Sequence, residues 1–347
     1  ISNCYAKGGS VSGRVYVGCL VGENGGTITN CYSTASVKGD LWVGGLVGVN
    51  RGTITNCYST SSVTGYGTER WKGGVGGLVG RNYRGTITNC YATGSVLGVD
   101  DVGGLAGFGD GTIGNCYATG NVSGNGNIGG LVGAHNGDTI TNCYSSGDVS
   151  GDERVGGLVG RNHGTITNCY SIGSVTGTMY VGGLVGRQYE EGTITNCYSV
   201  GSVTGRNNVG WLVGALNEGT INNSFWDIET SGGTYSAGGT GKTTAEMQME
   251  STFTDAGWDF VGESVNGTDD IWSICEGVDY PKLAWQFVIG DFDGNDDTEF
   301  ADFAIFAARW HQTDSSFWCG GGTDLTNDGE VDFDDLKEFA EKGEFRP

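Results

Sequence analysis

The sequence predicts an all-β fold: a parallel β-solenoid of eight to nine coils, with about 26 residues per coil. Three observations lead there. A cysteine recurs at Cys4, Cys31, Cys57, Cys90, Cys116, Cys143, Cys169 and Cys197, in steps of 26 to 28 residues apart from one of 33. Between the cysteines, short β-branched runs are separated by glycine, a strand signal and not a helical stripe. Glycine supplies 68 of the 347 residues and proline only 2. That bias suits tight corners and closely approaching backbones. It fits neither collagen nor a Pro/Gly-rich disordered tail.

The unit reads GTITNCYSTGSVTG, then a variable stretch, then VGGLVG. Three of its columns are apolar. Isoleucine recurs at 28, 54, 87, 113, 140, 166, 194 and 221. Valine recurs at 37, 63, 96, 122, 149, 175 and 203, and leucine at 20, 46, 78, 105, 131, 158, 184 and 212. Three short strands per unit are expected, and each coil can bury its apolar face only against its neighbours. The long step holds an insertion around Tyr66 to Lys72, and a ninth copy places Ser224 where the cysteine belongs.

The cysteines are expected to point inward as a stack of small thiols. Disulfides between coils and a metal stack are the open alternatives. The threonines flanking each isoleucine, as in Thr53 and Thr55 or Thr165 and Thr167, should face outward as a flat two-column array. That array breaks at Gly114 and Asn222. The tyrosines at 5, 32, 58, 91, 117, 144, 170 and 198 should then form an outward stacked strip suited to association or sugar stacking. The asparagines before the cysteines, Asn30 to Asn196, are expected to form a hydrogen-bonded ladder at a corner.

The recurring GGLVG with GTITNCYS resembles the GLUG-motif repeats of bacterial extracellular and surface proteins, over about residues 1–225. The resemblance implies a secreted, extracellular or cell-surface bacterial location and no defined catalytic activity. Composition narrows the choice independently. A net charge of −22 argues against nucleic acid and anionic membrane partners. No run is apolar enough for a membrane span. The repeat strands carry Thr, Asn, Ser and Tyr, not clustered carboxylates, so a non-enzymatic protein is expected, with a polysaccharide lyase as the enzyme alternative. The segment Ser236 to Thr243 mimics a phosphate loop but lacks its first glycine. It reads better as a helix start, with Thr243 as N-cap and Glu246 completing a capping box.

The period ends after Phe225. Residues 226–288 read as a small mixed cap with Trp226, Trp258, Trp272 and Trp285 in its core, one helix from Thr244 to about Phe253, then short strands. An exposed solenoid end needs such a cover. Residues 289–347 form a third segment, in which 16 of the 40 acidic residues crowd into the last 58 positions. Asp291, Asp293, Asn295, Asp297, Glu299 and Asp302 fall at positions 1, 3, 5, 7, 9 and 12 of a calcium loop, and Asp324, Thr326, Asp328, Glu330, Asp332 and Asp335 repeat the set 33 residues later. Each loop runs into a helical pattern, Phe303 to Trp310 and Leu336 to Glu341.

This duplicated loop and helix resembles a dockerin type I module over about residues 289–343. The resemblance implies a calcium-folded α-helical docking module and a cohesin-like partner. The chain departs from the pattern at Asp296 and Thr298, and at the pairs Phe300-Ala301 and Phe333-Asp334.

Ile1 aligns with Ile28, so the chain begins inside a repeat, as a processed form or a fragment. As a mature form it is expected to stack head to tail, its open N-terminal coil covered by the next copy's C-terminal region, in an extracellular fibre or surface layer. A carbohydrate-binding or adhesin module, recognising surface glycan and displayed through the dockerin-like tail, is the alternative. An ice-binding solenoid is a third.

Overall fold

The computed structural model describes residues 1–67, 73–287 and 331–342, and between the last two Phe303, Phe306, Ala307 and Trp310. Two compact units divide the chain, Ile1–Thr244 and Ala245–Pro347.

The first unit is a parallel β-solenoid of about eight turns, with about 27 residues per turn. One turn runs through strands Thr27–Thr29, Tyr32–Ser33, Ser36–Gly39, Leu41–Gly44 and Val47–Asn50. Each strand pairs in register with its own copies above and below, so Ile54 lies between Ile28 and Ile87. The result is four parallel sheets, the Thr and Tyr strands sharing one of them.

Five strands per turn replace the expected three, and the break between Thr27–Thr29 and Tyr32–Ser33 is a left-handed corner. Asn30, Asn56, Asn89, Asn115, Asn142, Asn168 and Asn196 have φ of 51–53°, a region asparagine tolerates. This corner resets the alternation. Counting by twos from the buried Ile28 would turn Tyr32 inward; the corner at Asn30 turns Cys31 inward and Tyr32 outward instead.

A second corner is less expected. Tyr16, Trp42, Asp101, Asn127, Arg154, Tyr180 and Asn208 have φ of 51–57°, which costs a bulky residue roughly 1–2 kcal/mol. The glycine that closes VGGLVG makes room for it. A Cβ on Gly48 would lie 2.5 Å from the carbonyl carbon of Tyr16 in the neighbouring turn. The VGGLVG run is likewise not one strand but bends at Gly45, where a Cβ would lie 2.0 Å from the carbonyl oxygen of Gly77.

The interior splits into two apolar cores. The larger stacks the isoleucine, cysteine and leucine columns with Val47 and its copies, and the smaller stacks Val37 and Val43 with theirs. Serines stand between them: the hydroxyls of Ser33 and Ser145 donate to the carbonyls of Gly45 (2.7 Å) and Gly157 (2.6 Å).

The cysteine column does more than fill space. Each thiol donates to the carbonyl two residues earlier, as Cys143 does to Thr141 at 3.0 Å. Several also receive a backbone N–H from the neighbouring turn, as Cys116 N–H donates to Cys143 Sγ at 3.4 Å and Cys31 N–H to Cys57 Sγ at 3.3 Å. The corner at asparagine has taken those groups out of the strand ladder, and the sulfur column satisfies them. Ser224 performs both roles in the last copy, accepting from Cys197 N–H at 3.1 Å and donating to Asn222 O at 2.7 Å. All eight cysteines of the column are free thiols, which removes the alternative of disulfides between coils. Burial without a neighbouring cation holds Cys90, Cys116 and Cys169 well above the ordinary thiol value.

The solenoid ends on Phe225–Asp227, which pairs with Tyr198–Ser199 on one side and Thr240–Lys242 on the other. Of the phosphate-loop look-alike, Thr240–Lys242 is a strand, and a helix starts directly after Thr243, as expected. Trp226 packs on the larger core with Trp211, Ile228 and Ala237.

In the second unit the single helix expected near Phe253 is two short ones, α1 (Thr244–Met247) and α2 (Glu250–Thr254), because Met249 is extended between them. The four tryptophans do not share one core. Trp226 covers the solenoid end, whereas Trp258 and Trp272 pack with Phe253 and Phe260 in the second unit. Further along, α3 (Phe333–Lys342) follows Val331, which is buried with Phe306 against Trp310 and Leu336.

The thiol column yields a test. Cys143→Val strands the buried N–H of Cys116 and should cost about 1–3 kcal/mol. Cys143→Ser reproduces the Ser224 arrangement and should leave the guanidinium midpoint nearly unchanged. Equal losses in the two variants would reduce the column to packing alone.

Candidate functional site: the polar ladders and the outward columns

A buried polar ladder, missed in the sequence, runs through the positions just after GGLVG. Asn24 Nδ2 donates to Asn50 Oδ1 and Asn50 Nδ2 to Asn82 Oδ1, both at 2.8 Å. Gly109 interrupts the column, which resumes as His135, Asn162 and Gln188. Each asparagine also turns its own loop, as Asn50 Oδ1 accepts Gly52 N–H at 3.3 Å while its Nδ2 donates to Gly52 O at 3.1 Å. The signal was present in the sequence: VGxN recurs with the repeat. On the Asn30 column, where a ladder was expected, Asn115 donates to Asn89 and Asn168 to Asn142, both at 3.2 Å.

His135 is the odd member. Asn162 Nδ2 donates to Gly164 O and Gln188 Oε1, so its Oδ1 faces His135 Nδ1, at 2.7 Å, as an acceptor. The imidazole therefore donates from Nδ1, and its buried Nε2 has no partner. Burial holds this histidine below its ordinary value of 6.5.

Outside, the threonines stand in register as expected, Thr53 and Thr55 between Thr27 and Thr29 and Thr86 and Thr88. The array is interrupted at Gly114 and Asn222. The tyrosines do form an outward strip, but their rings stack on one another. Centroids lie 4.8–5.3 Å apart with planes within 17° of parallel from Tyr5 to Tyr198. The strip's inner ring faces are thus occupied by neighbouring rings, leaving mainly edges outward, and Tyr170 and Tyr198 are buried. Stacking on a sugar needs a free ring face. The strip is a poor platform for it.

Three further outward columns lie side by side. The second corner supplies Trp42, Asp101, Asn127, Arg154 and Tyr180. The adjoining strand supplies Arg81, Phe108, Arg161 and Arg187, with Val49 and Ala134 buried in the same column. The turn after it supplies Arg51, Tyr83, Asp110, Asn136, His163 and Tyr189. The Arg81 guanidinium lies 4.9 Å from the Trp42 ring centroid, 4.6 Å from Tyr83 and 5.1 Å from Phe108. Arg187 lies 4.5 Å from Tyr180 and 4.8 Å from Tyr189, which stacks on His163 at 4.2 Å. Burial, and then the charge of Arg161, lower the His163 pKa. Arg81 and Arg187 each meet rings on the columns at both sides, so the three columns form one face.

Of the expected calcium ligands, Asp332 and Asp335 are described. Asp335 is fully buried and its Oδ2 accepts Asp332 N–H at 2.8 Å, while Asp332 Oδ1 accepts Asp334 N–H at 2.9 Å. The pair caps the start of α3 reciprocally. Asp291, Asp293, Asn295, Asp297, Glu299, Asp302, Asp324, Thr326, Asp328 and Glu330 lie outside the described residues. Among the described residues no three His, Cys, Asp or Glu side chains are grouped closely enough to hold a metal ion.

Comparison with known proteins places GLUG motif repeats in the solenoid. Six segments match the GLUG motif family: residues 43–64, 73–97, 100–123, 124–150, 151–176 and 177–204. A protein of Evansella cellulosilytica, provisionally named a Gly-rich membrane protein, is 42% identical over 74 residues, which are 21% of this chain and 8% of that protein. The chain thus matches only a small part of that relative. Among the described residues no helix is long and apolar enough to cross a membrane. The crystal structure of a provisionally assigned immunoglobulin A1 protease from Bacteroides ovatus aligns over 78% of this chain and 87% of that one, with a TM-score of 0.42 and 18% identity.

The buried histidine makes stability depend on pH. Its folded-state pKa is depressed, so its contribution is present above about 6.5 and is lost as pH falls below that value. His135→Asn restores the ladder's own residue. The variant should melt no lower than the parent at pH 7.5, and its melting temperature should fall less between pH 7 and 5. Parallel pH profiles would show that His135 does not titrate with unfolding.

Proposed function

We propose that this GLUG-repeat solenoid is a secreted, non-enzymatic structural protein of a bacterial surface or matrix, in which rigid rods associate end to end. The supporting observation is the set of axial ladders. Amides and rings are committed to their own copies along the rod, and each thiol accepts from or donates to backbone of its own and neighbouring turns, which resists bending. Turns of one pattern also offer one another complementary rows of backbone donors and acceptors, and a heterologous contact of that kind extends without closing.

In this reading the C-terminal segment is the joint. Asp291, Asp293, Asn295, Asp297, Glu299 and Asp302, with Asp324, Thr326, Asp328, Glu330, Asp332 and Asp335, hold two calcium ions and order a dockerin-like module. The buried carboxylate of Asp335 at the position that closes the second loop is compatible with this. The module engages another copy or a cohesin-like partner.

Electron microscopy of the full chain tests the reading. Unbranched fibres in calcium that shorten or dissolve in excess chelator are expected, and Asp302→Ala with Asp335→Ala should prevent them. Single short rods in both conditions would exclude self-assembly and favour a monomeric adhesin.

A further inference from the structure

A side chain on a solenoid stacks on its own copies. Columns whose identity is set by that stacking repeat the same residue turn after turn, as the threonine, tyrosine and cysteine columns do. The three-column face does not. Its positions change from copy to copy, and in a chain of net charge −22 it gathers Arg51, Arg81, Arg154, Arg161 and Arg187 beside Trp42, Tyr83, Phe108, Tyr180 and Tyr189; Glu23 and Asp110 on the same columns pair with Arg51 and Arg81.

Two of these arginines break a rule of sheet pairing. Arg161 and Arg187 are direct register partners on neighbouring turns. Their backbones are thus about 4.8 Å apart, and like charges placed opposite one another destabilise a sheet. Among the described residues neither guanidinium has a carboxylate within ion-pair distance. Arg161 donates to Asn136 Oδ1 at 3.0 Å and Arg187 lies against two rings. Arg154 on the adjoining column pairs with Glu153 at 2.7 Å. The Nε of all three is buried without a hydrogen-bond partner. With each Nε buried, an anion would meet the terminal nitrogens, and Arg161 and Arg187, which have no carboxylate partner among the described residues, are the cations arranged to receive it.

We propose that this face binds a linear anionic polysaccharide. Arg154, Arg161 and Arg187 receive its carboxylate or sulfate groups, and a sugar ring lies against the face of Tyr180 opposite Arg187; Tyr189, covered by His163 and Arg187, has no face to offer. Guanidinium forks match planar and tetrahedral oxyanions, which lysine does not do. The remaining face of Tyr180 favours a sugar over an acidic peptide, because a pyranose offers a flat C–H face. The polymer follows from a second cluster on the same columns. Arg81 with Trp42, Tyr83 and Phe108 sits three turns from Arg161 and four from Arg187, about 14–19 Å along the axis, beyond the reach of one small anion. The proposal stands apart from self-assembly, since a rod that never polymerises still carries this face.

Affinity electrophoresis of the full chain tests it, in gels containing polygalacturonate, heparin, dextran or polyglutamate. Retardation by polygalacturonate or heparin, weakening as salt is raised, is expected, with none by dextran. Arg161→Gln with Arg187→Gln should raise the Kd at least tenfold at an unchanged melting temperature. Should that pair fail to fold, Arg161→Lys with Arg187→Lys keeps the charge and should still bind several-fold more weakly. Millimolar inorganic sulfate should not displace the polymer. No retardation by either acidic polysaccharide, undiminished retardation of the folded variant, displacement by sulfate, or equal retardation by polyglutamate would each overturn the assignment.

Discussion

Every residue of the solenoid must tolerate its own copy about 4.8 Å above and below it. Parallel, in-register stacking imposes this, and the rest of the structure follows from it. An amide passes because it donates to the copy above and accepts from the copy below, hence Asn24, Asn50 and Asn82. A thiol or hydroxyl passes because it accepts a backbone N–H from the neighbouring turn while donating to a carbonyl of its own, hence the cysteines and Ser224. Aromatic rings pass as a parallel stack, and apolar side chains pass as columns of a core. A charge does not pass, because its copy repels it. Buried carboxylates and ammonium groups would need partners that a strict repeat cannot supply.

The same constraint explains the glycines and the unusual corners together. A turn closes on about 27 residues only by folding sharply several times. The sharpest folds use left-handed backbone, at an asparagine in one place and at Trp42, Arg154 or Tyr180 in another. The bulky residues persist there because the neighbouring turn overdetermines them. Gly48 and its copies press backbone against backbone at the corner, where any Cβ would collide. Glycine is therefore used here for close approach more than for conformational freedom.

The repeat made the fold class legible, along with the inward isoleucine, valine, leucine and cysteine columns, because identical spacing can only mean stacked turns. What was not legible has physical causes. Alternation along a strand cannot see a left-handed corner, so the number of strands per turn came out too low. The Asn30 column looked like the ladder because it precedes an obvious motif; the buried ladder is the asparagine after GGLVG, and its partners in two turns are histidine and glutamine. The arginine and aromatic face was invisible for the opposite reason. It consists of departures from the pattern, and a search for repeats discards departures. The acidic pairs near the C-terminus were legible as a spacing, and only Asp332 and Asp335 of that set have a described setting, the capped start of α3.

These failures share a logic that bears on where chemistry can reside in such a rod. A column that repeats is explained by stacking and needs no ligand. The tyrosine strip is of this kind: its rings satisfy one another and have few faces left to offer. A column that varies is free of that requirement, so its residues answer to something else. Where such a column also sets Arg161 beside Arg187, it accepts a repulsion that any neutral residue would have avoided. Stacking cannot account for that choice. A negatively charged group bridging the two turns would turn the repulsion into a paired attraction, which makes the one electrostatically unfavourable rung of this face its most informative one.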